Sequence, residues 1–275
     1  YILHDGYQLE NMPIKESYNA SGLQLADYDL YELLRTSRVR SILRDSKNRL
    51  WFATQGDAGL VRYERGNVLR FTVEDGMPSD KVRTIIELSD GSYLAVCTGG
   101  LVKIDNHDKI TTIYNEYYGI KNIEFLTAAE AEDGTILAGT DGGGIYVIKG
   151  STVRNIGIND GLPSEVILRI KKDHRRNIYW IVTSNAIAYM DENYNIVKIE
   201  QFPYTNNYDL FQNSSDQMWV LSSNGVYIVD TEDMLANGVI NPVFYGTSNG
   251  LHCISTANSF SDLTEDGDLY IAGTT

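Results

Sequence analysis

A chain of 275 residues with 43% hydrophobic content can bury a substantial core, and its length allows one large domain or two small ones. Its formal charge of -14 argues against nucleic acid or an anionic membrane surface as a partner, because phosphate binding needs clustered Lys and Arg. No run is apolar for long enough to cross a bilayer, and no basic-then-apolar leader opens the chain.

Residues 1–38 read as a degraded first copy of a four-stranded unit. In it Asp5-Gly6 forms the first hairpin, Met12 to Ser21 a longer loop, Gly22-Leu23 the start of a third strand and Tyr28 to Leu34 the fourth. The second copy, 39–80, is clearest. Its runs Val39 to Leu43, Leu50 to Thr54, Leu60 to Tyr63 and Val68 to Val73 are rich in β-branched, aromatic and aliphatic residues. Turn chemistry at Asp45 to Asn48, Gly56 to Gly59 and Glu64 to Asn67 separates them, and Asp75-Gly-Met-Pro-Ser79 closes the unit. The third copy, 81–122, carries Asp90-Gly91 and Gly99-Gly100-Leu101. The fourth, 123–165, carries Asp133-Gly134, Gly142 to Gly144 and a second ending, Asp160-Gly-Leu-Pro-Ser164. The fifth, 166–205, turns through Asp173 to Asn177, and the sixth, 206–252, is lengthened between Thr231 and Asn241. The seventh, 253–275, repeats Asp266-Gly267 and is partial. The start at Tyr1 and the end half-way through a repeat lead us to expect an excised piece of a longer protein.

One small residue closes the second strand of successive copies: Thr54, Thr98, Thr140, Thr183, Ser222 and Thr274, at intervals of 44, 42, 43, 39 and 52 residues. All three tryptophans, Trp51, Trp180 and Trp219, stand three residues before that marker, and Ala95, Leu137 and Ile271 take the slot elsewhere. A slot filled so regularly is a packing position between repeats. The period suits a propeller blade. We therefore expect an all-β fold, a β-propeller of four-stranded blades forming a single domain over 1–275. Seven blades are expected, the last incomplete in this chain, with six as the alternative count because ring closure recruits strands from both termini.

The recurring run Asp-x-x-Asn/Gly-x-Leu-Trp, an apolar residue, x-Thr, then Gly-Leu/Ile, then an Asp-Gly-Leu/Met-Pro-Ser ending, resembles the two-component regulator propeller family. It is carried by Asp45 to Thr54 with Gly59-Leu60 and Asp75 to Ser79, and by Asp133 to Thr140 with Gly144-Ile145 and Asp160 to Ser164. The fifth and sixth copies depart from it, with Tyr204 to Tyr208 in place of the glycine-rich ending. The resemblance implies an extracytoplasmic, periplasmic or cell-surface part of a bacterial transmembrane receptor, whose histidine kinase or diguanylate cyclase output lies outside this chain. It also implies a small-molecule ligand, an oligosaccharide or another nutrient, and a homodimer formed through the receptor. Fold alone does not settle such a function.

Ligands of propellers usually sit at the rim that carries the blade-to-blade endings, or in the channel lined by first strands. Candidate ligand-binding residues are therefore Arg38, Arg40 and Arg83 near the starts of first strands, and Tyr117, Tyr118, Asn122, Tyr204, Tyr208 and His252 in the variant endings Tyr117 to Asn122, Tyr204 to Tyr208 and Ser248 to His252. Guanidinium forks and aromatic faces suit a sugar or carboxylate; the plainer reading is that they stabilise loops. Tyr63, Tyr146, Tyr189 and Tyr227 recur in third strands, where sheet packing with a solvated hydroxyl is expected. The recurring Asp45, Asp90, Asp133, Asp173, Asp216 and Asp266 read as turn formers. His4, His107, His174 and His252 are isolated, so no metal site and no cofactor are expected. Cys97 and Cys253 are expected as unpaired buried thiols. No nucleophile motif appears. The alternatives are a protein-interaction scaffold, although the Gly-His and Trp-Asp signatures are missing, or a propeller hydrolase or lyase using Arg38, Arg83 and Arg169.

Overall fold

The computed structural model describes residues 2–4, 8–10, 12–27, 29–264 and 266–274, the first two runs as backbone alone. The chain divides into two compact units, Tyr1–Asn115 and Glu116–Thr275. In the first, β1 (Ile2–His4) and β2 (Gln8–Glu10) pair antiparallel, followed by β3 (Glu16–Asn19) and α1 (Leu30–Leu34). Two consecutive antiparallel meanders complete it. One is β4 (Arg38–Arg44), β5 (Leu50–Gln55), β6 (Leu60–Glu64) and β7 (Asn67–Phe71); the other is β8 (Val82–Glu87), β9 (Tyr93–Cys97), β10 (Gly100–Ile104) and β11 (Ile110–Tyr114).

The second unit holds three more meanders. The first runs β12 (Phe125–Glu130), β13 (Ile136–Thr140), β14 (Ile145–Lys149), β15 (Thr152–Ile156) and the second β16 (Ile167–Lys172), β17 (Ile178–Thr183), β18 (Ile187–Asp191), β19 (Ile196–Lys198). The third is β20 (Asn207–Gln212), β21 (Gln217–Ser222), β22 (Gly225–Asp230) and β23 (Val243–Tyr245), with α2 (Thr231–Ala236) in the stretch read as an insertion. An interrupted hairpin follows, β24 (Ile254–Ser255) pairing β27 (Gly273–Thr274), and β25 (Asp262–Leu263) pairing β26 (Leu269–Tyr270). The all-β propeller class expected from the repeat is the one observed.

The first copy departs from its expected form. β3 lies inside the stretch read as a loop and runs parallel to β7, which makes that blade five-stranded. Leu30 to Leu34, expected as strand, is helical because the Asp29 carboxylate accepts hydrogen bonds from the Tyr31 and Glu32 amides, and because buried Leu30 anchors the turn. At Gly22-Leu23 there is no strand; Gln24 makes an isolated bridge to Tyr18. Asp5, Gly6 and Tyr28, named above for a hairpin and a strand, lie outside the described residues.

Strand register corrects the repeat marker. Thr54 pairs with Val39, Cys97 with Val82, Thr140 with Phe125, Thr183 with Ile167 and Ser222 with Asn207. Cys97, not Thr98, therefore occupies the marker position, and Leu94, not Ala95, the tryptophan slot. The slip arose because β9 and β10 are joined by only Thr98 and Gly99, so the threonine stands one residue late. The marker has a job: the hydroxyls of Thr54, Thr140, Thr183 and Ser222 donate to the carbonyls of Gly59, Gly144, Ala186 and Gly225 at 2.7, 2.9, 3.1 and 2.7 Å, closing the turn into the third strand. Where that turn carries glycine the reason is steric. A Cβ on Gly59 or Gly144 would lie 2.3 or 2.2 Å from the carbonyl oxygen of Phe71 or Ile156.

The core sits between successive sheets. Trp51, Ala53, Leu60 and Phe71 pack with Tyr93, Ala95, Cys97 and Val102, and in the other unit Trp180, Val182 and Ile187 pack with Leu210, Met218 and Val220. At roughly 25 cal/mol per Å2 of apolar surface removed from water, each large residue in these seams contributes about 1.5–3 kcal/mol. Burial in this seam pushes the unpaired Cys97 thiol well above its ordinary range. Cys253, in contrast, is only half-buried, and its Sγ lies 3.5 Å from the Ile271 carbonyl.

Candidate functional site

The first strand of every meander carries a β-bulge near its start. The register shifts between Val39 and Ser41, Val82 and Thr84, Phe125 and Thr127, Ile167 and Arg169, and Asn207 and Asp209. The extra residues are Arg40, Arg83, Leu126, Leu168 and Tyr208. A bulge re-aims the side chain it carries, and bulges gather beside functional sites. Three of the five residues, Arg40, Arg83 and Tyr208, are among those singled out from the sequence.

In the second unit, Tyr208 lines an open cleft of about 380 Å3 together with Ser223, Thr247, His252, Cys253, Ile254, Ser255, Thr256 and Thr274. Tyr204 reaches its edge, because its hydroxyl shares a 2.7 Å hydrogen bond with Ser223 Oγ while its ring stacks on Tyr227 at 5.8 Å. Asn207 fixes this corner by donating from Nδ2 to the Tyr204 carbonyl at 2.6 Å. The structure thus brings Tyr204, Tyr208 and His252 together. The cleft is rich in hydroxyls and its lining contains no Asp, Glu, Lys or Arg. Ser255 is buried, yet its Oγ has no hydrogen-bond partner among the described residues. An unsatisfied buried hydroxyl costs about 1–3 kcal/mol, which a polar ligand or water seated in the cleft would offset.

The ending Tyr117 to Asn122 is arranged differently. Tyr117 is 95% exposed. Asn122 is spent on its own turn, its Nδ2 donating to the Asp141 carbonyl and its Oδ1 accepting from the Glu124 amide. Both this ending and Thr247–Asn249 form the same single 3-10 turn as Val73–Asp75 and Ile158–Asp160, so sequence divergence there leaves the backbone unchanged. Among the described endings of the five meanders, the Tyr204 to Tyr208 stretch is the one without that turn.

In the first unit, Arg38 and Arg40 project from β4 and Arg83 from β8. The adjacent strands are tied by a 3.1 Å hydrogen bond from Ser41 to Thr84. Burial, and then the like charges of Arg38 and Arg83, hold the Arg40 guanidinium below its ordinary pKa. The buried Arg40 Nε has no hydrogen-bond partner among the described residues.

Other residues weighed from the sequence prove structural. Arg169, cast in an enzyme triad, is buried and committed: it donates to Asp209 at 3.1 Å and to the Leu168 and Ser259 carbonyls, and its guanidinium lies 3.9 Å from the Phe260 ring centroid. The third-strand tyrosines are not simply solvated. Tyr146 Oη accepts from the Lys121 and Asn122 amides, and Tyr227 Oη accepts from Asn224. The hydroxyl cleft was only half legible: Tyr208 and His252 stood out, while Ser223 and Ser255 carried no signal beyond their neighbours.

Residues 33–56 match the model of the family described as Two component regulator propeller. The chain is 23% identical over 205 residues to Histidine kinase P4 of Formosa agariphila, an alignment covering 69% of this chain and 15% of that one. It superposes on the extracellular domain of the hybrid two component system BT3049 from B. thetaiotaomicron with TM-score 0.73 at 19% identity, covering 90% of this chain and 33% of that one. Virginiamycin B lyase from Staphylococcus aureus gives TM-score 0.63 at 18% identity over 86% of this chain and 84% of the lyase. The chain therefore spans about a third of the receptor domain it superposes on, and less of the kinase. Residues 33–56 match the two-component regulator propeller repeat, and the fold of the chain is that of a β-propeller.

Proposed function

We propose that this chain is a ligand-sensing segment from the extracytoplasmic part of a bacterial transmembrane signalling receptor, binding a carbohydrate or other hydroxyl-bearing nutrient and catalysing nothing itself. The observation that carries this reading is the hydroxyl-lined cleft, without Asp, Glu, Lys or Arg in its lining, that holds Tyr208, His252 and Ser255, whose Oγ has no partner among the described residues. A polyhydroxylated neutral ligand would exchange hydrogen bonds with that lining and rest an apolar face on the tyrosine. The repeat match at 33–56 and the similarity to a histidine kinase and to a receptor domain support the signalling context. Under this reading 1–275 is one propeller domain that seven blades complete. Ligand binding shifts the relation between two receptor subunits and so biases a kinase or cyclase output.

The test is a thermal-shift and calorimetric screen against neutral oligosaccharides. A binding sugar should raise the melting temperature, and Tyr208→Ala or His252→Ala should weaken it at least about tenfold. If no sugar shifts the melting temperature while a peptide or protein partner does, the scaffold reading replaces this one. The likeness to a lyase, with His252 in the cleft, supports a second reading, which would be favoured if a bound sugar were cleaved during incubation.

A further inference from the structure

Arg38, Arg40 and Arg83 gather three cations on two neighbouring strands of a protein whose formal charge is -14. The repeat does not demand arginine there. At the same bulge in other copies stand Leu126, Leu168 and Tyr208, so the scaffold closes with apolar or neutral residues in the same place. Nor is Arg40 itself favourably placed, since burial and the like charges of Arg38 and Arg83 act against its charged form and its Nε is buried without a hydrogen-bond partner among the described residues. Such a set becomes stabilising when an anion occupies it. The Ser41 to Thr84 hydrogen bond holds the two bulges in fixed relation, so the guanidinium groups need little reorganisation on binding.

We infer that Arg38, Arg40 and Arg83 form an oxyanion subsite in the first unit, which binds the carboxylate or sulfate group of an acidic ligand. The inference rests on the sensing reading and adds acidic molecules, as a ligand class for the first unit, to the hydroxylated ones proposed for the cleft of the second. Planar guanidinium forks recognise oxyanions bidentately, a geometry that neutral hydroxyls do not exploit.

The experiment titrates the protein at low ionic strength with glucuronate, glucose and inorganic sulfate, in the native sequence and in the variants Arg40→Gln and Arg38→Gln. Glucuronate should bind at least about tenfold more tightly than glucose, weaken steeply with added salt, and lose about tenfold in affinity in either variant. Arg38 is exposed, so Arg38→Gln keeps the test valid should Arg40→Gln fail to fold. If sulfate binds as tightly as glucuronate, the site takes a free oxyanion; if glucuronate alone binds, the group is borne by a sugar. Glucuronate binding no tighter than glucose, or binding that both variants leave unchanged, overturns the inference. Either of those results together with neutral-sugar binding that depends on Tyr208 and not on Arg40 would leave the sensing reading standing while this inference falls.

Discussion

The hairpin turns of β4–β5 and β20–β21 share a backbone, and the side chains that cap them, Asp45 and Asn213, differ in one terminal atom. In the first, Asp45 Oδ1 accepts from the Lys47 and Arg49 amides and Oδ2 accepts from Trp51 Nε1 at 2.9 Å, from Arg49 Nε at 2.7 Å and from Tyr93 Oη at 3.0 Å. In the second, Asn213 Oδ1 accepts from the Ser215 and Gln217 amides in the same way, but the second position is an Nδ2, which donates to Gln217 Oε1 at 3.2 Å. Two donors cannot bond, and Trp219 Nε1 is left buried with no partner among the described residues. Asp173 repeats the first arrangement with Trp180 at 2.9 Å. Capping the turn is thus one function of the residue, and fastening the indole is a separable one that requires a carboxylate.

The comparison breaks most severely at Asp45. Replacing it by Asn keeps the turn cap but leaves buried Arg49 without its counter-charge, and should cost about 3–5 kcal/mol in urea unfolding; a loss below about 1 kcal/mol would mean the fastening is energetically idle. Acid probes the same group. Burial works to raise the Asp45 pKa, but the Trp51 indole, the Arg49 amide and side chain and the Tyr93 hydroxyl outweigh it and hold it at about 2. The folded value lies below the unfolded one of about 3.9, so its contribution is present above about pH 4 and is lost as pH falls through 2. About 2–3 kcal/mol of stability should disappear over that window, and the slope should flatten in Asp45→Asn. The smallest effect sharpens the comparison from the other side: Asn213→Asp supplies the missing acceptor and should add about 1 kcal/mol. That gain should vanish in a Trp219→Phe background; a gain that persists there would have another origin.

The same contrast explains how much could be read from sequence. Trp51 and Trp180 announce the blade period because each fills a seam that only a large side chain closes, and turn residues recur because hairpins need them. Aspartate recurrence, however, conflated three turn positions: Asp45 and Asp173 cap the turn and hold an indole, Asp90 and Asp133 accept from Ser92 and Thr135 two residues on, and Asp216 stands in the left-handed conformation at φ 64°. The marker slipped at Thr98 because neighbouring small residues look alike until strand pairing ranks them. The sequence across α1 resembles a strand because its cap, Asp29, is a single polar residue among many. The bulges were illegible, since an extra residue in one strand leaves the alternation of apolar residues nearly intact; for that reason Arg40, Arg83 and Tyr208 were named by position and not by register. Ser255 was missed because nothing in a serine's sequence context says that its hydroxyl is buried without a partner.

The parallel strand β3 bears on the behaviour of the molecule in concentrated solution. By lying along β7 it occupies the amide and carbonyl row of that strand, and its own outer row is taken in turn by residues 23–25, where the Asn19 amide donates to the Leu23 carbonyl and the Leu25 amide to the Ser17 carbonyl. β23, outermost in its own sheet, carries Val243, Phe244 and Tyr245, all exposed. Self-association by strand pairing is thereby closed off at one blade edge and left sterically open at another, and colloidal stability is a property of particular edges more than of the net charge.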